Sequence, residues 1–389
     1  MRSVLRSVTN YIKDTDKFFW IISLFTSVYG IVLVMSATHT SRNSVKQLTV
    51  QIGATIVGYI AALVISRMDY DMIARWWKAV AAVCIGLIVL TFFIGVGRQD
   101  DLRNDDKAWL MIFGMTFQPS ELAKIGFIIT FSHHISRLLE NESLNEPLNI
   151  IFLCMHGAVP VGLVHLQGDD GSALVFLFIF IVMMFAAGIK LRYFAAAFAS
   201  LVVILPVMWF YVMDEFQKKR ILIIFNPELD PEVTGFQQAR AAIAIGSGKL
   251  FGQGIFNGSY TQNGMVPEDH NDFIFSVACE ELGFFGAITV MVLLGAILVR
   301  IFMISNRSRD DLGKLMCMGF FAMIAFQSIA NIGMCLSIAP VIGITLPFFS
   351  AGGSSTACLY LGIGLVLSVY MQSSSKYTGD RIDFSYTRY

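Results

Sequence analysis

The residues with the clearest capacity for chemistry are the few carboxylates set against an apolar background. Asp272, which ends Pro267-Glu-Asp-His-Asn-Asp272, comes first. A single carboxylate ahead of an apolar run can accept the proton of a hydroxyl that is becoming a nucleophile. It can equally cap a helix starting at Phe273, and spacing leaves both readings open. His270, two residues away, reads as a solvated loop histidine. Three further polar clusters stand out: Gln118-Pro-Ser-Glu121-Leu-Ala-Lys124, Gln167-Gly-Asp169-Asp170-Gly-Ser172 and Pro347-Phe-Phe-Ser-Ala-Gly-Gly-Ser-Ser355. Glu121 and Lys124, three apart, share a helix face in the order that suits the helix dipole. Such charges inside an apolar segment are costly. They form either a structural ion pair that fixes packing or a contact to a polar substrate or second chain.

The elements that must position these residues are membrane helices. The 389-residue chain is 56% hydrophobic and 14% charged, far from a soluble balance, and its mean hydropathy is +0.66. Its 28 basic and 28 acidic residues cancel, which gives no sign of nucleic-acid binding. At about 20 apolar residues per span, the expected helices fall near residues 18–37, 47–66, 79–97, 118–136, 148–166, 171–189, 192–213, 272–303, 314–337 and 355–372. The fold class is therefore an all-α polytopic membrane protein of about ten spans, read as a single domain over residues 1–389. The first apolar run is too long for a signal peptide and should persist as a helix. Lys and Arg concentrate in alternate connections, which puts both termini and the 373–389 tail inside and a large loop, about 214–271, outside between spans seven and eight. On that topology each polar cluster lies at the N-terminus of an even-numbered span and faces outward. Helix N-termini with unpaired N–H groups suit an anion such as phosphate, although any one cluster alone is an ordinary cap.

The outer loop carries a short helical pattern from Gly235, which could lie along the membrane surface. A stretch with Gly246, Gly248, Gly252, Gly254 and Gly258 follows. With Arg240, Lys249 and Lys218-Lys219-Arg220 it could bind phosphate through backbone N–H groups and positive charge, but it matches no nucleotide-binding signature. Glu280 and Glu281, about 12 Å below Asp272 at 1.5 Å per residue, read as partners of Lys124 or as an ion or proton site, with structural pairing favoured. The six cysteines lack metal spacing and read as unpaired packing residues.

At these residues the sequence resembles the SEDS family (shape, elongation, division and sporulation), whose members include RodA and FtsW. The resemblance spans nearly the whole chain. It is most specific in Gln118-Pro-Ser-Glu-Leu-Ala-Lys124, in Ala244-Ile-Gly-Ser-Gly through Phe275 with Glu280-Glu-Leu-Gly283, and in Asn331-Ile-Gly-Met334 through Pro340, Pro347 and Gly352-Gly-Ser-Ser355. It implies a peptidoglycan glycosyltransferase of the bacterial cytoplasmic membrane that polymerises lipid II with a class B penicillin-binding protein as partner, alongside other elongation or division machinery. By motif, Asp272 corresponds to the family's essential carboxylate. Glu121, Lys124 and Asp169 match polar positions of the outer cavity, and Gln167, Gly352, Gly353, Ser354 and Ser355 match motif positions. The chain departs from the family at Gly168 and Asp170, where Pro and Leu are usual, at Asn271 for Thr and at Ala351 for Tyr. It departs again in Asp105-Asp-Lys-Ala-Trp109, where basic contact would rest on Lys107.

The reaction implied is attack of an acceptor sugar's 4-hydroxyl on the donor's anomeric carbon, with undecaprenyl pyrophosphate leaving and Asp272 taking the proton. Basic loop residues, helix ends and a divalent cation, Mg2+ or Mn2+, are candidates to stabilise the leaving group. Two alternatives use the same spans: a lipid II transporter without chemistry, with Glu121, Lys124 and Glu281 along its path, and a scaffold that only docks the transpeptidase.

Overall fold

The computed structural model describes residues 11–41, 44–97, 107–112, 114–223 and 234–373. Asp105, Asp106, Pro227, Asp230, Pro231 and the tail beyond Ser373 lie outside the described residues, and so do the expectations placed on them. In chain order the helices are α1 (Lys17–Ala37), α2 (Ser44–Arg67), α3 (Tyr70–Arg75), α4 (Trp77–Ile94), α5 (Pro119–Glu140), α6 (Pro147–Leu166), α7 (Asp170–Ala186) and α8 (Leu191–Val207). They continue as α9 (Glu215–Leu222), α10 (Thr234–Ser247), α11 (Ile274–Ser305), α12 (Asp311–Cys335) and α13 (Gly353–Ser373). A small hairpin, β1 (Leu110–Ile112) and β2 (Met115–Phe117), precedes α5.

Eight of these helices are long and apolar enough to cross a membrane: α1, α2, α4, α6, α8 with its π-helical continuation to Val212, α11, α12 and α13. The other two expected spans are also helical. α7 is apolar but only 17 residues long, and α5 is 22 residues long with Glu121 and Lys124 in its first two turns.

α12 and α13 form the enclosed centre of the bundle. α13 packs along α2 at close range because the facing residues are small: a Cβ on Gly364 would sit 3.0 Å from the backbone of Ala62, and one on Gly58 would meet the Tyr360 ring. Between membrane helices this backbone approach replaces the hydrophobic driving force that lipid does not supply. α8 is the opposite case, with no buried residue.

α11 is 32 residues long, about 48 Å as a straight helix, which exceeds the ~30 Å hydrocarbon core. It breaks at Gly283 (φ 66, ψ −159), a conformation open essentially only to glycine. Residues 284–305 then make a segment of ~33 Å, and residues 274–282 form a separate buried helical segment of about two and a half turns.

The glycine-rich loop wraps that upper segment. A Cβ on Gly248 would sit 1.9 Å from the Cys279 carbonyl oxygen, one on Gly252 2.1 Å from the Glu281 carbonyl oxygen, and one on Gly283 2.4 Å from the Gly252 nitrogen. Gln253 N–H and Gly254 N–H donate to the carbonyls of Glu280 and Glu281. Gly248, Gly252 and Gly283 therefore serve backbone-to-backbone packing, and the N–H groups of Gln253 and Gly254 are used in internal bonds. The expected surface helix is likewise integrated: α10 buries Ala241 and Ala244 and donates from Gln238 to the Met334 and Ala339 carbonyls at the end of α12.

Gly283→Ala is expected to lower the melting temperature of the detergent-solubilised protein by the equivalent of about 1–3 kcal/mol of backbone strain, with the clash against Gly252 in addition. Gly162→Ala in α6, where a Cβ meets nothing within 4 Å, should leave it unchanged. Thermal unfolding followed by intrinsic fluorescence compares the two.

Candidate active site

The four polar clusters do lie at helix starts, and hydrogen bonds join them. Gln118 is the N-cap of α5, followed by Pro119 at a position where a missing N–H costs nothing. Its backbone N–H donates to Ser354 Oγ (3.3 Å), and its side-chain Nε2 donates to Asp169 Oδ2 (2.7 Å). Asp169 is the N-cap of α7, where Oδ1 accepts from Ser172 N (2.9 Å), and Ser120 Oγ also reaches Oδ2 (3.3 Å). One carboxylate thus caps α7 and binds it to the start of α5.

Asp170, the extra carboxylate, accepts from Gln217 Nε2 of α9 (2.8 Å) and lies 2.6 Å from His165 Nδ1. It tethers the segment that begins at Asp214 to the same rim. Gln167 turns the other way and donates from Nε2 to the Ile88 carbonyl (2.9 Å) and to Thr91 Oγ1 of α4.

Glu121 and Lys124 form an ion pair at 2.8 Å, with side-chain exposures of 9% and 1%. The expected link from Lys124 to Glu280 or Glu281 is not formed, because both glutamates are turned into the loop. Glu280 accepts from Tyr260 N (2.8 Å), Thr261 N (3.0 Å) and Ser247 Oγ (3.3 Å). Glu281 accepts from Ser36 Oγ (2.7 Å) and Gln262 Nε2 (2.8 Å), which ties the loop to the end of α1. Glu121 instead lines a small cavity, roughly one water in size, with Gln327, Thr345, Ser350, Ser355 and Thr356.

The segment ahead of α13 is the hub of these contacts. Gln51, buried inside α2, accepts from Gly352 N (3.0 Å) and donates to the Ser350 carbonyl (3.3 Å) and Thr356 Oγ1 (3.2 Å). Gly353 packs against Val50, and α1 reaches the same segment at Gly30, where a Cβ would sit 2.1 Å from the Phe348 carbonyl oxygen.

Asp272 enters here, and not as a helix cap: α11 begins at Ile274 with Phe273 as N-cap and no capping side chain. Its residue is 5% exposed. The turn before it closes on Glu268, whose carbonyl accepts from Asn271 N and Phe273 N (both 3.1 Å) and whose carboxylate accepts from Asn271 Nδ2 (2.7 Å). Three consecutive carbonyls then reach outward: His270 O accepts from Ala351 N (2.8 Å), Asn271 O from Ser350 Oγ (2.6 Å) and Asp272 O from Asn331 Nδ2 (2.8 Å). The Asp272 carboxylate faces Gly343, where a Cβ would lie 3.7 Å from Oδ2.

His270 is half-buried rather than a solvated loop residue, held between Gln47 Nε2 (3.1 Å) and Asp269 Oδ1 (3.3 Å). Burial pushes the Asp269 carboxyl above the usual carboxylate range, and the neighbouring His270 opposes the shift.

Asp272, Asp169, Glu121, Lys124, Gly352, Gly353, Ser354 and Ser355 are therefore tied into one rim. Lys249 is exposed in a left-handed conformation (φ 50) and passes its carbonyl to Phe284 N (2.9 Å) at the kink. Arg240 lies over the Phe236 ring at 5.0 Å, and Lys107 is exposed. Sequence reading missed Gln51 and gave Asn331 no role beyond its motif. The available signal was their type, since a lone amide inside an apolar span needs a partner.

Residues 16–375 match the cell cycle protein family of FtsW, RodA and SpoVE. The chain is 30% identical over 351 residues to the peptidoglycan glycosyltransferase MrdB of Escherichia coli K12, covering 90% of this chain and 92% of that one. It is 32% identical over 318 residues to the stage V sporulation protein E of Bacillus subtilis, covering 80% and 84%. A chain from a solved peptidoglycan synthase complex that coordinates polymerization and crosslinking superposes with a TM-score of 0.79 at 28% identity, over 93% of this chain and 99% of that one. The rod shape determining protein RodA of Thermus thermophilus shares the fold, with a TM-score of 0.67 at 24% identity over 92% and 98%.

Lys124→Met leaves the Glu121 carboxylate buried and unpaired, and should destabilise the protein by about 3–5 kcal/mol. The double variant Glu121→Leu with Lys124→Met removes both charges and should regain most of the lost melting temperature. A double variant no more stable than Lys124→Met would show that the pair is not the source of the loss.

Proposed function

This chain belongs to the FtsW, RodA and SpoVE family of cell cycle proteins, and on that basis we propose that it extends glycan strands from lipid II, with Asp272 as general base. It is a multi-pass membrane protein and a peptidoglycan glycosyltransferase, and its partner is a transpeptidase of the class B penicillin-binding type. The observation that carries the reading of the site is the joining of Asp272 to the Glu121–Lys124 and Asp169 clusters through residues 350–355.

In the proposed reaction the 4-hydroxyl oxygen of the acceptor's terminal N-acetylglucosamine attacks the anomeric carbon of the donor N-acetylmuramic acid. The bond from that carbon to the pyrophosphate breaks, undecaprenyl pyrophosphate leaves, and the hydroxyl proton passes to Asp272. Attack from the face opposite the leaving group turns an α-linked donor into a β-1,4 product. The protein's share is positioning and charge stabilisation. N-termini of α5, α7 and α13 point partial positive charge at the rim, with the Glu121–Lys124 pair beside them. Among the described residues no three His, Cys, Asp or Glu side chains come together as a metal-binding group. The residues do not fit a protein-held metal cage, so no step is derived through a cation.

Ten spans, both termini inside and the 214–271 loop outside complete the proposal, since lipid II is then met at the outer face. The transporter alternative has less support. The polar residues deeper in α5 and α6 satisfy one another, with His134 Nδ1 and His156 Nδ1 3.1 Å apart and Thr130 Oγ1 3.2 Å from His156 Nε2.

Asp272→Asn keeps the side-chain volume and leaves all three outward carbonyl bonds of the turn available, because those bonds use the main chain. Loss of at least about 100-fold in lipid II polymerisation is expected, the usual scale of a general base, at an unchanged melting temperature. Near-normal glycan synthesis by purified Asp272→Asn would reject the base. Orientation is tested separately in a cysteine-free background. Asn263→Cys should react with an impermeant maleimide added to intact cells and Arg307→Cys only after lysis, and the reverse pattern would overturn the topology.

A further inference from the structure

We propose that Asn331, assisted by Ser350, is a positioning residue for the transfer step, fixing the Asp272 turn to the bundle rather than to the loop that carries it. This rests on the reading of Asp272 as the base. Asn331 is 0% exposed inside α12, and an amide there is costly unless both its N–H bonds are used. Both are: Nδ2 donates to Asp272 O (2.8 Å) and to Ile344 O (2.7 Å). One side chain thus joins three pieces of chain, namely α12, the residue proposed to take the proton and the segment leading to the Glu121 cavity.

Ser350 makes the neighbouring bond. Its hydroxyl donates to Asn271 O (2.6 Å) and accepts from Leu346 N (2.7 Å), so the same hydroxyl shapes the segment and holds the turn. The remainder of the loop has its own attachment, through Glu280 and Glu281 in the helix beyond Phe273. In the other direction the turn closes on Glu268 within itself and touches α2 and the segment ahead of α13 at His270. Without Asn331 and Ser350 the turn would keep its Ala351 and Gln47 contacts at His270, and the Asp272 carbonyl itself would keep the long Cys335 Sγ contact (3.7 Å) to the bundle. A displacement on the order of 1 Å at a reacting group is enough to cost about 100-fold in rate.

The test uses the full-length protein with its cognate transpeptidase in liposomes, with turnover measured against lipid II concentration at a temperature where each variant is folded. Asn331→Ala removes both donors, Asn331→Asp keeps the shape but faces two carbonyls with a carboxylate, and Ser350→Ala removes one hydroxyl. For the two Asn331 variants kcat should fall about 10–100-fold while KM stays within about 2-fold, and Ser350→Ala should show a smaller fall of the same kind. Unchanged kcat in folded variants overturns the proposal. So does a parallel change in kcat and KM, which would mark a general distortion of the site. If the Asn331 variants do not fold, the same split in Ser350→Ala decides. If Asp272→Asn is active, the base falls and this inference with it. If Asp272→Asn is inactive while the folded Asn331 variants keep wild-type kcat, only this inference falls.

Discussion

A carbonyl oxygen removed from water must find a donor or cost about 1–3 kcal/mol, and in residues 270–272 three such oxygens follow one another. Their donors come from α12 and from the segment before α13: Asn331, Ser350 and the Ala351 N–H. The rest of the site follows from meeting this requirement. The segment that supplies two of the donors must be held against α2, which Gln51 does, and must approach α1 closely, which Gly30 permits. Ser354 and Ser355, just beyond it, then stand beside Gln118 and Glu121 at the start of α5.

Helix N-termini gather on this rim because of how they are capped. Asp169 serves α7 with one oxygen and α5, through Gln118, with the other. Both oxygens are engaged, so this carboxylate holds two positive helix ends together. The Glu121–Lys124 pair is satisfied within one helix, close to those ends. For the proposed transfer, this arrangement supplies oriented dipoles whose geometry is fixed before the substrate arrives.

The helices were legible in the sequence because hydrocarbon thickness sets a length that composition can report: each expected span falls on a helix, and eight of these helices are long and apolar enough to cross a membrane. The four polar clusters were legible as helix starts for a similar reason. What spacing could not reveal was which carboxylate was a cap. Asp169 and Asp272 look alike in the sequence, yet only Asp169 caps, since α11 starts two residues after Asp272. Glu280 and Glu281 were misplaced because a helical projection treats residues 272–303 as one rod, and Gly283 breaks that rod. The packing role of Gly248 and Gly252 was not visible because a loop that binds phosphate and a loop that packs on backbone need the same residue. Only the positions of the Cys279 and Glu281 carbonyls separate the two.

Two departures from the family pattern become understandable once the bonds are known. At position 351 the group that holds His270 is the backbone N–H, so alanine keeps the bond that any residue except proline would make there. At position 271 the asparagine amide reaches Glu268 across the turn and closes it from within. The bonds that join the turn to the rest of the bundle run mainly through its main-chain carbonyls, to Asn331, Ser350 and the Ala351 N–H.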